Sequence, residues 1–188
     1  MYPFLRYAKE IIKFRNAAAL GPTEPHVSTH RCWPWDLDPW VELNNGRTLT
    51  LYDLGRLPLA HRLGVMAALK RKGWGMTVAG NSTRYRRRIR AFDRFTMISR
   101  VVGWDSRFIY MDQSMWKDGE CCNQMLVRSA VTSDKGIVAP ALLIEALGHP
   151  AESPPMPGWV MNWIEADAAR PWPPLVPADA QHGLGSAA

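Results

Sequence analysis

Between Met76 and Ser133 the chain offers four strand-like segments with only three residues between one and the next. The segments are Met76 to Arg90, Arg94 to Trp104, Phe108 to Lys117 and Cys121 to Ser133, and the connectors are Ala91-Phe92-Asp93, Asp105-Ser106-Arg107 and Asp118-Gly119-Glu120. Connectors this short join antiparallel neighbours, because a parallel crossover needs about a dozen residues or more. Asp118-Gly119 is also a strong hairpin signal. The segment therefore predicts an antiparallel meander, with its helices placed before and after it.

The preceding stretch supplies the covering helix. Asn45 to Lys72 carries Leu49, Tyr52, Leu57, Leu59, Leu63, Met66 and Leu69 at near-helical spacing. Pro58 predicts a kink or break near Leu57, and Gly73 after Lys70-Arg71-Lys72 predicts the stop. Val27 to Trp33 alternates as a further strand, with Val27, Thr29, Arg31 and Trp33 on one face. Five strands and one long helix make an α+β domain in which the helix covers one face of the sheet. A short helix over Pro140 to Leu147 and another over Gly158 to Ala169 are expected beyond it. The division read from composition is an amphipathic helix within 1–20, a main domain over 21–148 and a Pro/Trp-rich extension over 149–188. The last ten residues read as disordered.

The formal net charge of +6 favours anionic partners. Arg84, Arg86, Arg88 and Arg90, at period two in the second strand, predict one basic face, either a solvated rim or a landing site for phosphates. Nucleic acid fits poorly, since no exposed aromatics interleave with the stripe at stacking spacing. Three cysteines, two of them adjacent, make neither a disulfide framework nor a zinc site. His30 and His61 show no metal spacing, so neither metal nor cofactor is expected. The odd cysteine count points to a reducing cytoplasm, and no apolar run reaches roughly 18 residues, so no membrane span is expected. In residues 1–15, Phe4, Leu5, Ile11, Ile12 and Phe14 lie among Arg6, Lys9, Lys13 and Arg15. That segment reads either as a helix packed on its own domain or a partner subunit, or as one resting on the inner membrane surface.

The candidate chemistry sits in Trp33-Pro34-Trp35-Asp36-Leu37-Asp38-Pro39-Trp40-Val41-Glu42-Leu43-Asn44-Asn45, the loop between the first strand and the long helix. A carboxylate there can activate water or attack directly, beside the exposed amides of a helix start. By residue type alone, Asp before Pro also serves simply to organise a turn. The loop resembles that of the hot-dog-fold thioesterases, in the 4-hydroxybenzoyl-CoA thioesterase-like branch. The nearest likeness is to the "thioesterase superfamily member" group, through Asn-Asn-Gly-Arg at Asn44 to Arg47 and Asp-Leu-Gly-Arg at Asp53 to Arg56. The likeness in element order spans Val27 to Leu147. The family motif Asp-x-Asp-x-x-x-His-x-Asn-Asn falls on Asp36, Asp38, Glu42, Asn44 and Asn45, with Glu42 in place of the His. Val41 replaces the Gly that commonly precedes that His, and Thr48 a Tyr often found after the pair.

The resemblance implies a hot-dog fold, a five-stranded antiparallel sheet wrapped around one long helix. It implies an acyl-CoA thioesterase working as a homodimer or dimer of dimers, with Asp38 as general base or nucleophile and Glu42 and Asn45 beside it. Asn44, Arg47, Trp40, Gly75, Met76, Arg86 and Arg88 are the expected substrate-binding residues, with backbone donors for an oxyanion near Gly73 to Met76. The departures at Val41, Glu42 and Thr48 keep open the alternative of a non-catalytic acyl-CoA or acyl-binding protein on the same fold.

Overall fold

The computed structural model describes residues 2–176. The last ten residues, read from the sequence as disordered, lie outside them. The meander forms as its connectors predict, with β3 (Arg94–Trp104), β4 (Ile109–Lys117) and β5 (Glu120–Ser133) as antiparallel neighbours. Asp105 holds the first tight turn by accepting from the amides of Arg107 and Phe108, both at 2.7 Å. Asp118 and Gly119 make the second with φ of 51° and 80°. β1 (His26–Arg31) pairs with β3, and β2 (Gly75–Tyr85) pairs with β5. The strand order is β1-β3-β4-β5-β2, with a short β6 (Gly136–Val138) also on β5. The sheet and the helix on it are the architecture the resemblance implies, with β6 added.

α2 (Asn45–Arg62) covers this sheet and buries Leu51, Tyr52, Leu54 and Leu59 against Met97, Met115 and Met125. Of the kink or break expected near Leu57, the break is absent, since α2 is one continuous helix through Pro58. A proline costs a helix one amide and some crowding, which packing in the core offsets, and Pro58 is buried there. The interruption comes at Gly64, whose φ of 77° turns the chain into α3 (Val65–Lys72). Gly73, at φ 68°, ends α3 as expected. α4 (Pro140–Ala146) closes the far end by burying Leu143 and Ile144. α1 (Phe4–Phe14) lies against α2.

One sequence expectation about strands gains a direction and another changes. Val27 and Thr29 do share a face of β1, and it is the outer one, while His26, Ser28 and His30 point inward. β2 stops at Tyr85, so Arg86, Arg88 and Arg90 are not strand residues and form no period-two face with Arg84. The ladder ends because Cys122 O takes the amides of both Arg86 (2.8 Å) and Arg87 (3.0 Å). Beyond that point Ile89, the one apolar side chain among residues 86–90, is buried, and its carbonyl accepts from Leu43 N at 2.8 Å.

The chain divides into a unit of Met1–Pro155 and a second beginning at Met156, which contains α5 (Gly158–Ala168). Residues 149–155 fold with the first unit. Trp104 N donates to Ser153 Oγ and Trp104 Nε1 to Ala151 O, both at 2.9 Å. No helix among the described residues is long and apolar enough to cross a membrane.

Candidate functional site

Two aspartates two residues apart do different work in the loop after β1. Asp36 closes a 3-10 turn over Pro34–Asp36 and is fully buried. Its carboxylate accepts from Trp33 N at 3.0 Å, from Arg6 Nη1 at 2.7 Å and from Arg47 Nε at 2.7 Å. Its carbonyl accepts from Asn44 N at 2.9 Å. A buried carboxylate between two guanidiniums is fully compensated, and it ties α1, the loop and the start of α2 together.

Asp38 is half-buried and held within its own turn. Its amide donates to Glu42 O at 2.8 Å and its carbonyl accepts from Val41 N at 3.0 Å. Oδ1 accepts from Trp40 N at 2.9 Å and, at 3.4 Å, from Glu42 N. Val41 takes φ 60°, a left-handed value that a β-branched residue adopts only under constraint. Glycine, the family's common residue at this position, would adopt it freely.

Asp38 opens onto a cleft of about 610 Å³ at the N-terminal end of α2. Asn44 caps that helix, its Oδ1 accepting from Arg47 N at 2.9 Å. Asn45 O accepts from Tyr85 OH at 3.1 Å, which joins the helix start to the end of β2. Glu42 is turned onto Arg88, with Oε2 2.8 Å from Nε. Trp40 and Arg86 line the same cleft. Of the residues named from sequence, the structure thus brings Asp38, Trp40, Glu42, Asn44, Asn45, Arg86 and Arg88 together.

Three others lie elsewhere. Arg47 is spent on Asp36 and borders a separate groove. Gly75 and Met76, at the start of β2, line a second cavity of about 550 Å³ under α2, α3 and α4. Leu59, Leu63, Leu69, Met111 and Leu143 make its walls apolar, and the Asp53–Arg56 ion pair borders it. Arg56 Nη1 continues from that pair to Gln113 Oε1 at 3.1 Å.

The cleft also takes in Tyr85 and Asn123, to which the sequence assigns no role. Asn123 is buried in β5 and accepts from Tyr52 OH. Its signal was a polar side chain between the apolar residues of a core strand, a position that must find a partner.

Among the described residues, no group of three His, Cys, Asp or Glu side chains is placed to hold a metal ion. Burial pushes the Cys32 thiol up to about 12, with the Asp36 carboxylate adding to the effect, which rules out a thiolate there at neutral pH. The chemistry open to the cleft is that of a carboxylate beside helix-start amides, amide side chains and guanidinium groups.

Comparison with known proteins gives one consistent picture. The model of the thioesterase-like superfamily matches residues 32–164. Protein THEM6 of Xenopus laevis is 30% identical over 166 residues, covering 86% of this chain and 78% of that protein. Protein THEM6 of Drosophila melanogaster is 26% identical, covering 72% and 69%. Among solved structures, the probable thioesterase YbaW of Escherichia coli superimposes with a TM-score of 0.61 at 17% identity, over 65% of this chain and 96% of that one. The DHNA-CoA thioesterase of Staphylococcus aureus gives 0.58 at 11% identity, over 77% and 91%. At such identities the structural likeness speaks for the fold.

Proposed function

Because the chain belongs to the thioesterase-like superfamily, we propose that it hydrolyses an acyl-CoA thioester, with Asp38 as general base or nucleophile. The observation that carries this reading is the meeting of Asp38, Asn45, Tyr85, Arg86 and Arg88 in one cleft at a helix start. Asp38 Oδ1 is anchored by turn amides, and Oδ2 accepts no hydrogen bond from the described residues. That oxygen takes a proton from water or attacks the acyl carbon itself. On the first route hydroxide adds to the acyl carbon and the carbon–sulfur bond breaks. On the second that bond breaks to leave an acyl-aspartyl anhydride, which water then hydrolyses. On both the thiolate takes up the proton, and the products are the free acid and the CoA thiol. Glu42 serves as a brace for Arg88 rather than as a second base. Arg86 and Arg88 present guanidinium groups to the CoA phosphates.

The acyl chain needs an apolar site, and the 550 Å³ cavity supplies one at the opposite end of β2 from Asp38. β2 is an edge strand of 11 residues. Two such strands pairing antiparallel about a two-fold axis bring the Gly75 end of one beside the Tyr85 end of the other. In that dimer the backbone amides near Gly75 and Met76 and the apolar cavity of one protomer complete the carboxylate cleft of its partner. A dimer of dimers is compatible with the same pairing.

The test is a thiol-release assay over short, long and aryl acyl-CoAs, repeated with Asp38→Asn. Hydrolysis by the wild type that Asp38→Asn abolishes supports the reading, and activity unchanged in the variant refutes it. One observation favours the second reading, a non-catalytic acyl-CoA binder. The position where the family carries His is Glu42, and its carboxylate is occupied by Arg88. Tight binding of acyl-CoA without thiol release is the outcome that reading requires.

A further inference from the structure

α1 is mounted with its polar side inward. Glu10 is 1% exposed. Arg6 reaches Asp36 and also donates from Nη2 to Arg31 O at 2.8 Å. On the opposite side Phe4, Leu5 and Ile12 are 68%, 89% and 61% exposed, with Ala8 exposed between them. At 100° per residue these four fall within one arc of the helix. Lys9 and Lys13 flank that arc on one side and Arg15 enters it at the C-terminal end, all three exposed. The stripe extends beyond the helix, because Phe4, Leu5 and Trp35 border one groove of about 900 Å³, and Trp35 is 68% exposed. The Trp35 ring stacks on Trp33 at 5.4 Å, which holds it in place.

We propose that this face, the outer stripe of α1 together with Trp35, docks on the surface of an anionic lipid bilayer. The charge distribution selects that partner. α1 has one acidic residue, Glu10, and it is buried, so the exposed face of the helix is apolar with a purely basic margin. That is the pattern of a helix lying in the headgroup plane, with aromatic and aliphatic side chains below it and lysines at phosphate level. A second copy of the chain fits worse. A two-fold pairing of two such stripes sets Lys9 and Lys13 near their own counterparts, in a chain whose net charge is already +6. The proposal does not depend on Asp38 chemistry.

The test is flotation of the full chain with two kinds of vesicle, phosphatidylcholine alone and phosphatidylcholine mixed with phosphatidylglycerol. The wild type floats with the anionic vesicles, stays behind with the neutral ones and is released by salt. Leu5→Ser with Ile12→Ser lowers the bound fraction at limiting lipid by about tenfold or more. Lys13→Glu with Arg15→Glu removes the preference for anionic lipid and leaves Lys9, which stands 3.2 Å from the buried Glu10, in place. These side chains are exposed, so both variants retain the wild-type melting temperature, which is measured alongside. Asp38→Asn floats as the wild type does. A wild type that never floats, or variants that float equally well, overturns the proposal. A smaller assembly for Leu5→Ser with Ile12→Ser on size exclusion, with no vesicle binding by the wild type, gives the face to a second copy and overturns it too.

Discussion

Arg6 Nη1 lies 2.7 Å from Asp36 Oδ2 across 30 residues of sequence, and Arg47 Nε meets the other oxygen of the same carboxylate at 2.7 Å. Removing the carboxylate leaves two guanidiniums, each about one-sixth exposed, facing each other without a counter-charge. Breaking a buried pair costs about 3–5 kcal/mol, and partial access to water lowers this to about 2–4 kcal/mol for Asp36→Ala. Urea titration followed by circular dichroism measures it. A loss under about 1 kcal/mol would show that the clamp is dispensable.

Asp38→Asn is predicted to do the reverse. The amide oxygen still accepts from Trp40 N, so the turn survives and the urea midpoint stays near that of the wild type. Thiol release falls by about 100-fold or more, the usual cost of removing a positioned acid–base group. Glu42→Gln leaves stability almost unchanged, since the pair it loses is with a largely exposed Arg88. Stopped activity in Glu42→Gln with normal activity in Asp38→Asn would exchange the roles proposed for the two residues.

What the sequence made legible was governed by local rules. Three-residue connectors dictate antiparallel pairing, so β3 was expected at Arg94 to Trp104, the bounds it has. Asn44 announces a helix start because its side chain meets an orphan amide within the same turn. The misread points depend on tertiary partners. Pro58 is tolerated in α2 because the core packs around it. Arg86 to Arg90 leave the sheet because Ile89 is buried and its carbonyl meets Leu43, far along the chain. Arg47 belongs to Asp36 rather than to the cleft, a fact of three-dimensional reach that spacing does not encode.

Acid is predicted to weaken the fold through β1. Burial holds His26 down to about 4 and His30 to about 3, helped by Arg62 and Lys13 for the first and by Arg6, Lys9 and Lys13 for the second. His30 Nδ1 stands 4.0 Å from Glu10, but at so low a pKa the ring is neutral and the contact is no ion pair. Between the folded values and the unfolded value near 6.5 the unfolded chain binds more protons. The stabilisation is therefore complete above about pH 6.5 and declines as the pH falls through that window. Urea midpoints taken from about pH 7 to about pH 5 should fall for the wild type and fall less for His30→Gln. Parallel slopes for the two proteins would place the acid sensitivity elsewhere.

Gly55 is where α2 comes closest to the sheet. A Cβ there would stand 2.5 Å from Ser99 Oγ and 2.6 Å from Met97 Sδ. Ser99 Oγ accepts from Gln113 Nε2 at 2.8 Å, so it cannot rotate away without a buried loss, and Met97 is fully buried. Gly55→Val overpacks the contact and separates helix from sheet, at a cost of about 2–3 kcal/mol. The readout is again the urea midpoint, and a variant as stable as the wild type would mean the contact yields without strain.

Val78 tests the composite site. It is 48% exposed in β2, whose outer edge pairs with no other strand among the described residues. In a two-fold β2 pair, each Glu of Val78→Glu would lie a few residues from its symmetry mate across the seam, and like charges so placed oppose pairing. An edge strand also tolerates a charge within one protomer, so the folded monomer survives the change. The wild type is expected to sediment as a dimer or a multiple of one, and Val78→Glu as a monomer with unchanged circular dichroism. Thiol release falls, because dissociation takes the neighbour's apolar cavity and backbone donors from the carboxylate cleft and the new carboxylate stands at the wall of that cavity. A monomeric variant that keeps full activity would show that a single protomer holds the whole site.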